Sequence, residues 1–591
     1  MPPDPPKPHL FLCNGARLST RRKLWRELKA TELITDGPAS NVVIKISEIA
    51  KSLTANVPKR AADLIEIAAA VYVADQLSKR TGRKTQDYGD LWYRDMRMEI
   101  AVRDPDFWNQ EDIAGLLSRM LTFISGDNFE FAFAELHEPP GVENYLEFGS
   151  GDPNPEGIEK VLLFSGGIDS LGGAVQELSA GRRIAMVSHK PAGHVAGLQK
   201  SLVKELVKRA SVSGNAPLPV SVWCNKKGLV EKDHTQRTRS FLYVTLGAVV
   251  ARIFGLDAVD FFENGVVSIN LPLAEHELGA RATRTTHPQT LAWYSQLLSA
   301  VFEQKFQVRN EFLSKTKQDV VEIIKHAGQG ELIASSVSCM HTRETTKASP
   351  HCGVCSQCVS RRFATLGVDG GTLEPSSLYR HDVLSESRKQ TEDRIIAERF
   401  LGFAREIAAL EGSAEFAQRY AAELARVTRF IPLAPTVVID SVFELHRRHA
   451  EQVNAVIIEA MQASAEDQYH GKIADGSMLA FGFGTNGGDP KAAPPKAAQP
   501  SGGDDALRPS HPLNKNQVLV LLVLSKARAL MTQADLVDAM KANGHRRTRK
   551  TIGIALKELR EMDLVCYPDG PRSGAAITRG GRSYLAEEMA H

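Results

Sequence analysis

The sequence predicts an α/β protein organised around a doubly wound parallel sheet, and three observations point there. Between residues 151 and 385, short apolar runs alternate with amphipathic segments, the pattern of strand, crossover helix and strand. One run, Val161-Leu162-Leu163-Phe164, leads through Ser165-Gly166-Gly167-Ile168-Asp169-Ser170 straight into the helical period Leu171, Val175, Leu178. The same region closes on Cys339 and Cys352-Gly353-Val354-Cys355-Ser356-Gln357-Cys358, thiols spaced for a metal.

Length and composition set the frame. A chain of 591 residues should hold several domains, and 43% hydrophobic with 24% charged residues is the composition expected of an ordinary soluble protein. The net charge of +2 favours no class of partner. Met1-Pro2-Pro3-Asp4-Pro5-Pro6-Lys7 lacks the basic and apolar regions of a signal peptide. The longest aliphatic run, Val518 to Leu524, is far too short to span a bilayer. Seven cysteines, four of them clustered, fit a reducing compartment. A cytoplasmic protein without membrane contact is expected.

Residues 1–150 read as an N-terminal α/β accessory domain. His9–Cys13, Asn41–Ile46, Met96–Val102 and Phe129–Leu136 have strand patterns, and Arg60–Arg80 and Asn109–Phe123 have helical ones. No cluster of catalytic residue types occurs there, so a scaffold or docking role is expected. Within residues 151–385, strands are expected at Val161–Phe164, Arg183–Val187, Pro219–Cys224 and Ala258–Phe262, with a helix over Arg237–Phe254. Residues 386–475 form a helical extension, with periodic segments at Glu392–Leu410, Glu415–Val427 and Val442–Met461. The Gly-, Pro- and Ala-rich stretch 476–512 reads as a flexible linker.

Residues 513–591 predict a winged helix. Helices are expected from Gln517, from the cap Thr532-Gln533-Ala534-Asp535 and over Thr548–Met562. A hairpin of Leu564–Tyr567 and Ala575–Thr578 and a terminal helix follow. The segment carries 13 Lys and Arg against 8 Asp and Glu, with Arg546, Arg547, Arg549 and Lys550 entering the recognition helix, and suits contact with DNA or with protein.

The chemistry gathers in the sheet domain. A strand–loop–helix turn aims backbone N–H groups at one spot, at the positive end of the helix dipole, which suits a phosphate. Gly166 and Gly167 allow close approach of the backbone, and no Gly-Lys-Ser/Thr follows, so this is not a Walker A loop. Ligands of open α/β sheets lie beyond the carboxyl ends of the strands, which brings Ser188, His189 and Glu263-Asn264-Gly265 near that phosphate. A carboxylate beside an amide can pair with the N1–H and 2-amino edge of a guanine-like base; a solvated turn is the competing reading. Arg281-Ala282-Thr283-Arg284-Thr285-Thr286-His287-Pro288 is either a charge-neutralising segment for a phosphate or carboxylate, or an ordinary basic loop. Cys339, Cys352, Cys355 and Cys358 match a closed, structural zinc shell, with an iron–sulfur cluster as the rival.

Ser165-Gly166-Gly167-Ile168-Asp169-Ser170 resembles the PP-loop, Ser-Gly-Gly-x-Asp-Ser, of the N-type ATP pyrophosphatases. Together with the cysteine knot it resembles the QueC family, the 7-cyano-7-deazaguanine synthases, over about residues 155 to 370. Arg239-Ser240-Phe241 is similar to that family's Arg-Asn-x-x-Phe helix start, and Phe312–Val321, with Lys315 and Lys317, to its lysine-bearing helix. The first loop of the knot is longer here, and the family's Tyr-Pro-Asp-Cys-Arg segment is absent.

The resemblance implies an adenine nucleotide alpha-hydrolase-like fold. It implies ATP with Mg²⁺ at Ser165, Gly166, Gly167, Ile168, Asp169, Ser170, Ser188 and His189, and catalysis by Ser165, Asp169, Ser170 and Arg284. The implied substrate is a deazapurine carboxylate, 7-carboxy-7-deazaguanine, expected to be held by Arg239 and Lys317 of the similar segments and by Glu263, Asn264, Arg281, Arg284, Thr285 and His287, which stand where the absent segment would be. The carboxylate would be adenylated and passed to ammonia or to an amine of an acceptor protein encoded nearby. The extra domains look like those of QueC-like proteins in bacterial antiphage systems, type IV CBASS and Qat operons among them. Two other readings stay open. One is a DNA-associated sensor that binds ATP without ligating. The other is a tRNA-modifying PP-loop enzyme, a chemistry that usually needs a catalytic cysteine, and here the candidates sit in the knot.

Overall fold

The structure is a computed structural model that describes residues 8–18, 25, 27–35, 37–46, 58–79, 93–137, 157–189, 194–212, 214–233, 237–272, 284–484, 515–526, 531–542, 548–561, 565–566 and 576–577. The chain divides into two units, Met1–Gly487 and Gly488–His591.

Two sheets organise the first unit. β1 (His9–Cys13), β2 (Ala30–Leu33), β3 (Val42–Ile46), β4 (Asp95–Val102) and β5 (Asn128–Glu135) precede β6 (Lys160–Leu163), β7 (Ile184–His189), β8 (Leu218–Lys226), β9 (Ala258–Phe261) and β10 (Gln307–Asn310). The first sheet is parallel throughout, in the order β2-β1-β4-β5. The second has the order β10-β9-β6-β7-β8-β3 and is parallel except for β3, which runs antiparallel to β8. The mixed α/β character matches expectation.

The separateness expected of residues 1–150 does not appear in the packing. β3 belongs to the second sheet, because strand pairing is a long-range choice that local sequence does not encode. The helix α1 (Lys59–Leu77) is buried along almost its whole length, its acidic residues included. Three acidic residues on α1 find partners at the two ends of β4. Arg94 donates to Asp75 at 2.5 Å and to Asp127 at 2.6 Å, while Arg103 donates to Asp63 at 3.0 Å and Glu66 at 2.8 Å. Asp75 also accepts from the backbone and hydroxyl of Thr238, each at 2.9 Å, so the same helix is fixed to the second half of the unit.

On the second sheet lie α2 (Ile168–Ser179) and α3 (Arg239–Ile253); α4 (Lys317–His326) packs on α2 and, after the cysteines, on α5 (Ser356–Asp369). The expected helical extension is present as α6 (Thr391–Ala408) and α7 (Pro435–Ala463), which pack on each other. Between them the expected Glu415–Val427 segment is two pieces, Ser413–Arg419 and Ala421–Thr428.

The first residues of the stretch 476–512, expected as a flexible linker, are ordered as a short helix. Ser477 caps α8 (Met478–Phe483) by accepting from the Ala480 N–H, and Met478, Leu479 and Ala480 are buried against the extension. Flanking glycines hid this short apolar turn in the composition. Residues 485–512 of that stretch lie outside the described residues.

The second unit contains α9 (Lys515–Lys526), α10 (Gln533–Ala542), α11 (Arg549–Glu561) and the antiparallel pair β11 (Val565–Cys566) and β12 (Ala576–Ile577). Val520, Leu521, Leu536, Met540, Ile552 and Leu559 form its core. Thr532 donates to Asp535 at the expected cap. Arg546, Arg547, the hairpin tip and the expected terminal helix lie outside the described residues. Among the described residues no helix is long and apolar enough to cross a membrane.

Ending the chain at Asp475 removes the burial of Met478 and Leu479, each contributing about 1.5–3 kcal/mol. A chain ending at Gly487 should melt like the first unit of the intact protein, and one ending at Asp475 several degrees lower. Equal melting temperatures would show that α8 contributes nothing.

Candidate functional site

On one side of β6 the chain proceeds to β7 and β8, and on the other side to β9 and β10. Connections leaving the carboxyl ends of β6 and β9 therefore run to opposite faces, and the crevice between them is where such sheets hold ligands. Two segments with chemical character meet there.

The first is the Ser165–Ser170 loop after β6. Gly166 turns at φ +82°, a conformation that favours glycine. Its carbonyl accepts from the Val337 N–H at 2.9 Å, and the Ser165 carbonyl accepts from Gln199 at 3.1 Å. Ser165 is exposed, with its hydroxyl 3.2 Å from that of Ser170, and Ser170 donates to the Gly167 carbonyl at 3.0 Å. Ile168 opens α2, whose first-turn amides have no intrahelical acceptor, an arrangement that suits an anion; that of Ile168 donates to Ser338 at 3.2 Å.

The second segment is Glu263-Asn264-Gly265, which follows β9. Asn264 caps the short helix Gly265–Ile269 by accepting from the Val267 N–H at 3.1 Å. A Cβ on Gly265 would lie 1.8 Å from the Leu313 carbonyl oxygen, so only glycine fits. Asn310, at the end of β10, fixes the turn by accepting from the Glu263 N–H at 3.0 Å and donating to its carbonyl at 2.8 Å.

The segments touch through their side chains. The Asn264 amide donates to Asp169 Oδ1 at 3.1 Å and to Glu263 Oε1 at 3.4 Å. Lys317, the first residue of α4 and only 2% exposed, donates to Asp169 Oδ2 at 2.5 Å and to Gln357 at 3.4 Å. A capping box between Thr316 and Asp319 starts α4 at this point. Burial, and then the neighbouring Asp169 carboxylate, push Glu263 up to about 8 against the pull of Lys317. The site thus joins the amino-terminal end of a helix, a buried ammonium and a carboxyl group raised to about 8.

Most other expected site residues have partners of their own. His189 is wedged between Tyr72 and Tyr243, with Nε2 3.1 Å from the Cys224 carbonyl, and burial lowers it to about 4. Ser188 is buried 3.5 Å from Ser221. Arg239 is exposed, over the Tyr243 ring. Arg284 lies on the Phe123 ring at 4.8 Å, with burial and then Arg426 lowering its affinity for a proton. His287 caps the helix Pro288–Phe302 through its Nδ1, which accepts from Gln289, and burial lowers it to about 3. Thr285 is half-buried beside them, and Arg281 lies outside the described residues. Asn310, Gln357 and Ser338 were not singled out by sequence: Asn310 stands in no motif, and Gln357 and Ser338 are non-ligand neighbours of the cysteines.

The four cysteines come together as expected. All four Sγ atoms lie within 4.8 Å of one another. A tetrahedral zinc with Zn–S of about 2.3 Å has S···S edges of about 3.8 Å, and Cys352 and Cys358 are separated by 3.8 Å. Backbone amides of His341, Cys352 and Cys355 donate to Cys339 and Cys352 sulfurs at 3.3–3.4 Å, as amides do around metal-bound thiolates. The donor set fits a metal ion with a closed shell.

No protein-family model matches the chain, and no curated protein matches it.

Two outcomes follow from this geometry. Purified protein should contain about one metal ion per chain, and Cys355→Ser should cost soluble protein; a stable, metal-free variant would contradict the assignment. Glu263 keeps its proton in the folded state well above the unfolded value of about 4.3, so its stabilising effect is present at low pH and is lost as pH rises through about 8. Glu263→Gln retains a neutral donor for Asp169. Its melting temperature should match wild type near pH ~4.5 and exceed it increasingly up to pH ~8; a constant difference across that range would remove the proton from the account.

Proposed function

We propose that this chain is an ATP-dependent, carboxylate-activating enzyme of the QueC-like kind. The reading is supported chiefly by the meeting of the Ser165–Ser170 loop with Asp169, Lys317 and Glu263 where the sheet order reverses. In this reading the loop amides and the Ser165 and Ser170 hydroxyls hold the pyrophosphate end of ATP, with Mg²⁺ offsetting charge. A carboxylate oxygen attacks the α-phosphorus, the bond to the bridging oxygen breaks, and pyrophosphate leaves. The nitrogen of an amine then attacks the acyl carbon, AMP departs, and the amine gives up a proton. In this reading Glu263, which accepts from the Asn264 amide and is ionised in part of the population near neutrality, takes that proton rather than reading the far edge of a base. Lys317 takes the electrostatic part assigned by sequence to Arg284, which sits on Phe123.

The proposed carboxylate is 7-carboxy-7-deazaguanine, and the amine is ammonia or a group on an acceptor protein in antiphage defence. The cysteines hold a structural zinc, whose closed shell leaves no position for a reacting water. The three helices and hairpin of the second unit are read as a winged helix that contacts DNA or protein.

Ser165→Ala is the cleanest test, because Ser165 is exposed and its loss does not strain the core. Pyrophosphate release from ATP in the presence of the carboxylate should fall by about tenfold or more. Undiminished release would remove the loop from the reaction.

A further inference from the structure

Ser338 lies one residue before Cys339, on an arm of the knot that crosses the Ser165–Ser170 loop. Next to the Val337–Gly166 bond, the Ser338 hydroxyl oxygen accepts from the Ile168 N–H at 3.2 Å. A Cβ on Gly167 would lie 3.3 Å from this oxygen, which places it over the second glycine of the loop. Behind it stands Arg361, fully buried, whose Nη1 donates to Ser338 at 3.3 Å and to Ser336 at 2.9 Å. Its Nε donates to Glu374 and its Nη2 to the Ile333 carbonyl, both at 2.6 Å, so the guanidinium cannot swing away.

A serine hydroxyl has two lone pairs and one proton. Ile168 and Arg361 occupy both lone pairs of Ser338, and among the described residues none accepts its proton. We propose that Ser338 belongs to the anion seat as a third hydroxyl beside Ser165 and Ser170, donating to the polyphosphate of a bound nucleoside triphosphate. The Arg361 guanidinium polarises that hydroxyl from behind, delivering part of a buried positive charge through one side chain. The seat is then assembled from two segments 170 residues apart, one of them an arm of the cysteine knot. This rests on the reading of the Ser165–Ser170 loop as a polyphosphate site.

Calorimetric binding of inorganic pyrophosphate and of ATP to the full-length protein tests it. Ser338→Ala should weaken both by about tenfold or more while metal content and melting temperature stay those of wild type. The shape-matched pair Ser338→Thr and Ser338→Val separates the hydroxyl from its bulk: the threonine variant should bind well and the valine variant poorly. Wild-type affinity in Ser338→Ala, or equal affinities in the threonine and valine variants, would overturn the role of Ser338 alone. Failure of wild type to bind either ligand would overturn the reading of the loop, and this inference with it.

Discussion

The site depends on one buried ion pair, Lys317 to Asp169 at 2.5 Å, with side chains only 2% and 10% exposed. Two charges this far from water stabilise a fold only when geometry and further hydrogen bonds compensate for their lost hydration. Here Asn264 serves the second oxygen of Asp169 and Gln357 faces the ammonium. Removing one partner from such a pair costs about 3–5 kcal/mol, because the other charge is left uncompensated. The pair therefore locks together the start of α2, the turn after β9, the start of α4 and the knot helix α5. The loop that opens α2 has little freedom once those four are joined.

The same pair sets the protonation of its neighbour. Asp169 is committed to Lys317, so a second negative charge on Glu263 lies beside the first in a poorly hydrated place. Glu263 is thereby raised to about 8, where a carboxyl group can exchange a proton near neutrality. Residues 386–475 contribute to this arrangement. Leu445 of α7 closes on Gly265, and Arg448 and Gln452 reach Ser314 and Asp319 at the cap of α4. The extension is a wall of the site.

Much of this was legible in the sequence, for identifiable reasons. Buried parallel strands read as continuous apolar runs, and the loop after β6 and the cysteine knot have fixed spacing. Lys317 stood in a recognisable helix start. Ala30-Thr31-Glu32-Leu33 and Gln307-Val308-Arg309-Asn310 did not read as strands, because short and largely polar edge strands lack the apolar signal. Arg284 and His287 show how little a local pattern says about a residue's partners. A segment rich in reactive side chains drew attention, yet the fold uses one for packing on Phe123 and the other as a helix cap. Ser338 carried a signal only through its adjacency to Cys339, and its meaning depends on a contact that no local pattern encodes.

The central claim is that a carboxylate attacks the α-phosphorus of ATP at this crevice. Supplying 7-carboxy-7-deazaguanine with ¹⁸O in its carboxylate, together with ATP and an amine, tests that claim directly by mass spectrometry of the AMP produced. Attack by the carboxylate followed by aminolysis transfers one labelled oxygen to AMP, and the account predicts that label. AMP that carries only solvent oxygen, or no AMP at all, would contradict it.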